Sequence, residues 1–241
     1  MRIRVFAGIG IAAALLGLTG CRSSPTVAAY VGDQTVTEAE VSDLIANHQE
    51  WAQTQANAKA QAEGTPLDKV ERVEPLSRTF VVNNVVRGML CDQARMRMNL
   101  PEPDLNLPEG VKPSDFGLLY TKRQACESAI PAGEPVKPTE ADAREIFDTG
   151  VAAGVIDPAS AAEAIPALMN EQGVAEALGR KKAFNDATAG IGVTVNPKYG
   201  VVEVPLASFA GGVPAVSVKF GEAGPVSNGP TQSSAPPNRP Q

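Results

Sequence analysis

From position 27 onward the chain alternates short apolar stretches with polar punctuation, and the period of the apolar positions changes along it. Val27-Ala28-Ala29-Tyr30-Val31, a Gly32-Asp33 turn and a second extended piece through Val36 predict a hairpin. Thr37-Glu38-Ala39-Glu40 places Thr and Glu at capping-box spacing, so a helix should start there. Val41, Leu44, Ile45, His48 and Ala52 share one face of it. It should fade in the Ala- and Gln-rich stretch before Gly64-Thr65-Pro66. A second helix is expected from about Glu71 or Leu76 to Met98, ended by Pro101, Pro103 and Pro108. Its stripe of Leu76, Phe80, Val82, Val85, Val86, Met89 and Leu90 is broad enough to be deeply packed. Pro113-Ser114-Asp115 opens a third helix carrying Phe116, Leu119, Tyr120 and Cys126, and Thr139-Glu140-Ala141-Asp142 opens a fourth leading to Ile146 and Phe147. One more helix is expected from about Ser160 or Pro166 to Thr188, with Leu168, Val174, Leu178 and Phe184 inward. The period then switches to two: Ile191–Val195 is β-branched, and Tyr199–Val204 is a further strand beyond Asn196-Pro197. From Leu206 Gly, Pro and Ser dominate, so 206–241 reads as a largely disordered tail.

Ahead of this pattern, Arg2 and Arg4 precede an almost wholly apolar run, Val5 to Leu18, 14 positions long. A spanning helix needs about 20 such residues, so the run reads as the middle of a secretory signal. It closes Leu18-Thr19-Gly20-Cys21, which resembles the lipobox of bacterial lipoproteins. The resemblance implies cleavage between Gly20 and Cys21, with a diacylglycerol on the sulfur of Cys21. The alternative is an ordinary secretory signal with a chance cysteine near the cut. Residues 1–20 are then a signal peptide, 21–26 a tether and 27–205 the folded module. The implied place is extracytoplasmic, on the cell membrane through the lipid, where each buried methylene contributes about 0.8 kcal/mol.

Removing residues 1–20 takes away Arg2 and Arg4 and no acid, so the formal charge moves from −6 to −8. An acidic surface argues against nucleic acid as a partner and against electrostatic docking on anionic lipid. Aromatic residues are 5% of the chain, so Ala and Val must supply much of the core. With Cys21 lipidated, Cys91 and Cys126 are a pair in an oxidising compartment, which favours a disulfide over two unpaired thiols. One His and two widely spaced Cys fall short of a usual zinc set, so neither a metal nor another cofactor is expected. His48, the single imidazole, lies on or near an apolar helix face and reads as structural. No phosphate-binding Gly loop or Gly-x-Ser-x-Gly elbow is present, so no catalytic residue is assigned and no small-molecule substrate is expected. Met89, Met96 and Met98 are candidate peptide contacts, because methionine adapts to many partners. The alternative places Met89 in the core and leaves the other two to frame the helix end.

The segment Val27 to Val41 resembles the opening of the SurA-type periplasmic chaperones and the related PrsA-like foldases, with their strand pair and Thr-Glu-x-Glu helix start. Val193-Thr194-Val195-Asn196-Pro197-Lys198-Tyr199-Gly200 looks like that family's returning strand, and Thr139 to Phe147 fits the helix after its middle region. These motifs bracket residues 27 to about 204; between them the match is a helical pattern alone. The resemblance implies a mostly α fold with a small β-sheet, in which the N-terminal hairpin and the late strand pack with several helices. The function it implies is a lipid-anchored chaperone-like protein that binds unfolded or newly exported polypeptides without catalysis. A scaffold that binds one specific envelope protein is the alternative. Many relatives in that family carry a parvulin-type peptidyl-prolyl isomerase domain with active-site histidines. This chain has His48 only, and too little sequence between Phe147 and the late strand for such an insert. Isomerase activity is therefore expected to be absent.

Overall fold

In the computed structural model, which describes residues 26–105, 107, 110 and 112–221, the chain opens with β1 (Val27–Val31) and β2 (Gln34–Thr37). The expected signal peptide 1–20, the cleavage between Gly20 and Cys21, the lipid on Cys21, the tether through position 25 and the tail beyond 221 lie outside the described residues. Gly32 turns the hairpin with φ 58°, a left-handed value that costs glycine little. Its N–H reaches the Gly192 carbonyl at 2.8 Å.

Thr37 then caps α1 (Glu38–Ala62). Its hydroxyl accepts the Glu40 N–H at 3.1 Å and the Glu40 carboxylate accepts the Thr37 N–H at 2.7 Å, so two otherwise unsatisfied donors are covered reciprocally. The helix does not fade in its Gln-rich half. The return segment is laid along it instead: Gln49 Nε2 donates to the Val73 carbonyl at 3.1 Å, and Val73 N–H to Gln53 Oε1 at 2.9 Å. Gly64 (φ 71°) closes it, with Thr65 N–H bonded to the Ala60 carbonyl at 2.8 Å.

Ser77 starts α2 (Arg78–Arg97) by accepting the Phe80 N–H at 3.2 Å, which corrects the earlier of the two starts expected. Asn99, at φ 53°, ends it, with Leu100 N–H on the Arg95 carbonyl and Asn99 N–H on that of Met96. The stop therefore comes from a left-handed cap before the first proline. Ser114 caps α3 (Asp115–Ala129), and a Thr139–Asp142 capping box starts α4 (Glu140–Ala152). The long helix expected to end at Thr188 is two helices, α5 (Ala161–Asn170) and α6 (Gln172–Thr188). Asn170 Nδ2 donates to the Pro166 carbonyl at 2.8 Å, and Glu171 between the helices is extended at ψ 118°.

β3 (Val193–Val195) pairs antiparallel with β1, Val31 opposite Val193 and Ala29 opposite Val195, giving a sheet ordered β2-β1-β3. The mostly helical class with a small antiparallel sheet is therefore observed. The tail expected from Leu206 is corrected: β4 (Val202–Ser208) and β5 (Pro214–Phe220) form a second hairpin. Val202, Val204, Val216 and Val218 are its buried residues. Their alternation is a strand signal that the surrounding Pro and Gly obscure.

α2 is the central element. Val81, Val82, Val86, Leu90, Cys91 and Ala94 are fully buried among β1, α3, α6 and β4. The expected stripe is corrected at two places: Val81 is inside, whereas Phe80 is 42% exposed. Cys91 and Cys126 are joined in a disulfide with Cα atoms 6.1 Å apart, holding α2 to α3. A smaller apolar cluster of Ile146, Leu178 and Val216 joins α4, α6 and β5.

Candidate functional site

β2, α1, α2 and α3 leave an open groove of about 840 Å³ between them. Its apolar floor is Leu44 from α1 with Val85 and Met89 from α2, and Val36 enters from β2. Leu44 falls here because it lies three residues after Val41, which is fully buried against the core, so its half-covered side meets the gap beside α2. Past Met89 and Asp115 the groove continues into a second depression of about 330 Å³, walled by Gly88, Leu118, Leu119 and Cys126. The Cys91–Cys126 disulfide thus sets the distance between two walls of the site.

Polar residues line the rim: Gln34 and Thr35 on β2, Glu40, Asp43 and Asn47 on α1, and Asp115 at the start of α3. The Thr37 N–H and hydroxyl, both bonded to Glu40, hold its carboxyl below the usual range, so it stays ionised. Asn47 Oδ1 accepts the Asp115 N–H at 2.9 Å and so fixes the start of α3 against α1. Next to it, His48 Nδ1 lies 2.8 Å from Ser114 Oγ, which also accepts the Gly117 N–H at 3.0 Å. The His48 ring sits against Trp51 and Phe116, with centroids 5.7 and 5.6 Å away, and burial lowers its pKa. With Ser114 4% exposed and committed to the helix cap, this pair wedges α3 in place.

Comparison with protein-family models, curated proteins and solved structures finds no match. Function therefore has to be argued from the geometry. Of the three methionines singled out in the sequence, Met89 lies in the groove and lines both depressions. Met98 packs half-buried against the main core, and Met96 is 59% exposed; neither lines the groove. Leu44, Val85, Leu118, Leu119 and the edge residues of β2 were not singled out. The four helical ones lie on α1, α2 and α3 among other apolar positions, and nothing local marks which of those a neighbour leaves uncovered or which edge of a strand stays unpaired.

Among the described residues, no group of three or more His, Cys, Asp or Glu could hold a metal ion, and no helix is long and apolar enough to cross a membrane. Chemically, the site can offer apolar contact from a floor with one flexible methionine, hydrogen bonds from its polar rim, and negative charge.

Proposed function

We propose that this chain is a lipid-anchored, extracytoplasmic, chaperone-like protein that binds unfolded or newly exported polypeptides without catalysis. One observation carries the reading: an open apolar groove, floored by Leu44, Val85 and Met89, beside a strand with no outer neighbour among the described residues. Apolar floors with sparse polar groups bind by area more than by fixed geometry, which suits many sequences. The thioether of Met89 adapts its shape at the centre of the groove.

The SurA-type reading of the fold draws support from the pairing of β1 with the late strand β3 and from six helices between them. The lipid reading rests on Leu18-Thr19-Gly20-Cys21; an intact mass of membrane-extracted protein lacking residues 1–20 and carrying a lipidated Cys21 is its expected outcome. The binding reading is tested by aggregation of a reduced, unfolded substrate. Mature protein should suppress it, and Leu44→Gln with Met89→Gln should weaken the effect. No suppression at several-fold excess would sink the reading. A single stoichiometric partner cross-linked in cells, with no affinity for unfolded chains, would replace it with the scaffold.

A further inference from the structure

We infer that the groove selects extended segments rich in Lys and Arg and takes them as an added strand along the outer edge of β2. This rests on the polypeptide-binding reading of the same groove and specifies its substrate class.

Position comes first. The sheet order β2-β1-β3 leaves β2 terminal, so among the described residues one row of its backbone groups has no strand partner. Successive strand residues point to opposite faces of a sheet. Gln34, Thr35 and Val36 nevertheless all line the groove, so it runs along the strand's edge. Ala29 and Val31 turn their backbone groups to Val36 and Gln34, since those of Ala28 and Gly32 go to β3. The Thr37 N–H is taken by Glu40, so the N–H and C=O of Thr35 are the pair that faces outward for an added strand. An extended segment laid there would gain main-chain hydrogen bonds whatever its sequence and drop alternate side chains toward Leu44 and Met89.

Charge decides which segments fit. Among the described residues, Glu40, Asp43 and Asp115 line the part of the groove beside β2, and no Lys or Arg does. Among the described residues neither Asp43 nor Asp115 has a salt-bridge partner, and both are exposed. The cations that the described residues bring near it line the second depression, Lys122 and Arg123, and Arg123 is 5% exposed and paired with Glu127. From Asp43 to Asn47, whose Oδ1 holds the Asp115 N–H, the α1 axis advances about 6 Å at about 1.5 Å per residue. Two strand steps cover about 6.6 Å, so basic residues two apart on an added strand running along α1 have the spacing to face Asp43 and Asp115. An acidic segment would instead meet like charge over that whole length.

The test uses the full mature protein and three dye-labelled peptides of one length, in which Val alternates with Lys, with Gln or with Glu, followed by fluorescence anisotropy. The Lys peptide should bind at least about 10-fold more tightly than the Gln peptide at low salt, and the Glu peptide more weakly than both. Raising salt to about 0.5 M should shrink the Lys-over-Gln ratio to below about 3-fold, because the acids are exposed. Asp43→Asn should lower affinity for the Lys peptide several-fold more than for the Gln peptide, so that the Lys-over-Gln ratio falls; the salt series on unaltered protein reads the same quantity without a substitution. N-methylating the amides on one edge of the Lys peptide should abolish binding, and on the other edge should not. Equal affinity for the three peptides would overturn the charge selection while the groove remained a polypeptide site. Equal tolerance of methylation on both edges would overturn strand addition. Failure of all three peptides to bind would remove the polypeptide-binding reading itself.

Discussion

The Tyr199 hydroxyl donates a 2.7 Å hydrogen bond to Glu38 Oε2 across 161 positions of sequence. Glu38 is the first residue of α1, and the same oxygen accepts from Arg78 Nη1, in the first turn of α2, at 3.0 Å. Lys198 Nζ lies 2.8 Å from the other carboxylate oxygen. One side chain thus ties two helix starts to the turn that follows β3, and closes the end of the module next to β2.

Tyr199→Phe should destabilise the protein by about 1–2 kcal/mol, near the low end for hydrogen bonds to a charged acceptor because Glu38 keeps its cationic partners. Urea denaturation read by circular dichroism would check this. A change below about 0.3 kcal/mol would show that the hydroxyl does not help close the module.

Burial alone would raise the Glu38 carboxyl, but hydrogen bonds from Lys198 and Tyr199 and the charges of Lys198 and Arg78 outweigh it and lower the pKa. Glu40 and Asp142 are lowered by their capping partners Thr37 and Thr139. Groups with depressed folded values stabilise the fold above their unfolded pKa, and that contribution is lost as pH falls through the folded value. Stability should therefore drop below about pH 4.5 for these carboxylates. Glu40→Gln should flatten the drop in a series of melting curves.

His48 acts in a higher window. Burial lowers its pKa, so the fold favours the neutral ring. Its share of stability is complete above about pH 6.5, the unfolded value, and declines as pH falls from there toward the folded pKa. The melting temperature should fall between about pH 7 and pH 5, and His48→Gln should remove that slope. An unchanged slope would assign it to another group.

Reducing the Cys91–Cys126 disulfide reopens a 35-residue separation, and the chain-entropy model puts the cost at about 4 kcal/mol. Both cysteines are buried, at 0% and 3% exposure, so a Cys91→Ala, Cys126→Ala variant separates loss of the bond from burial of free thiols. It should melt well below the parent and bind peptides more weakly, since Cys126 walls the second depression.

Two glycines should respond in opposite directions. A Cβ on Gly179 in α6 would run into the Glu134 and Ala132 carbonyl oxygens, so Gly179→Ala should destabilise by about 1–3 kcal/mol. A Cβ on Gly88 in α2 would meet only Arg123 Cβ, at 3.8 Å. Gly88→Ala should stabilise by about 0.5–1 kcal/mol through helix propensity and unfolded-chain entropy. Differential scanning calorimetry of the pair would show melting shifts of opposite sign.

The caps at Thr37, Ser77, Ser114 and Thr139 join atoms no more than three residues apart. Such bonds depend on the chain in immediate reach, so three of the helix starts were legible directly in the sequence, and Ser77 fell just after the later expected start of α2. The pairing of β1 with β3 was expected from the resemblance of the two end motifs, Val27–Val41 and Val193–Gly200, to one family, and period alone said only that both stretches are extended. Burial was harder to read. Phe80 and Val81 are adjacent on α2, and the smaller one is inside because α3 carries Phe116 and Tyr120 to the flank where Phe80 lies. Met96 lies two turns beyond Met89 on the same face, yet past the part of α2 that lines the groove.

Period and capping chemistry alone therefore determined which segments are helical or extended and where most of the helices begin. Tertiary structure alone decided that α1 runs on to Ala62, that residues 202–220 fold back as a hairpin, and that β2, Leu44, Met89 and Asp115 surround one groove. The reason is range: a cap is a bond between near neighbours along the chain, whereas a groove is the space left where distant elements fail to cover one another.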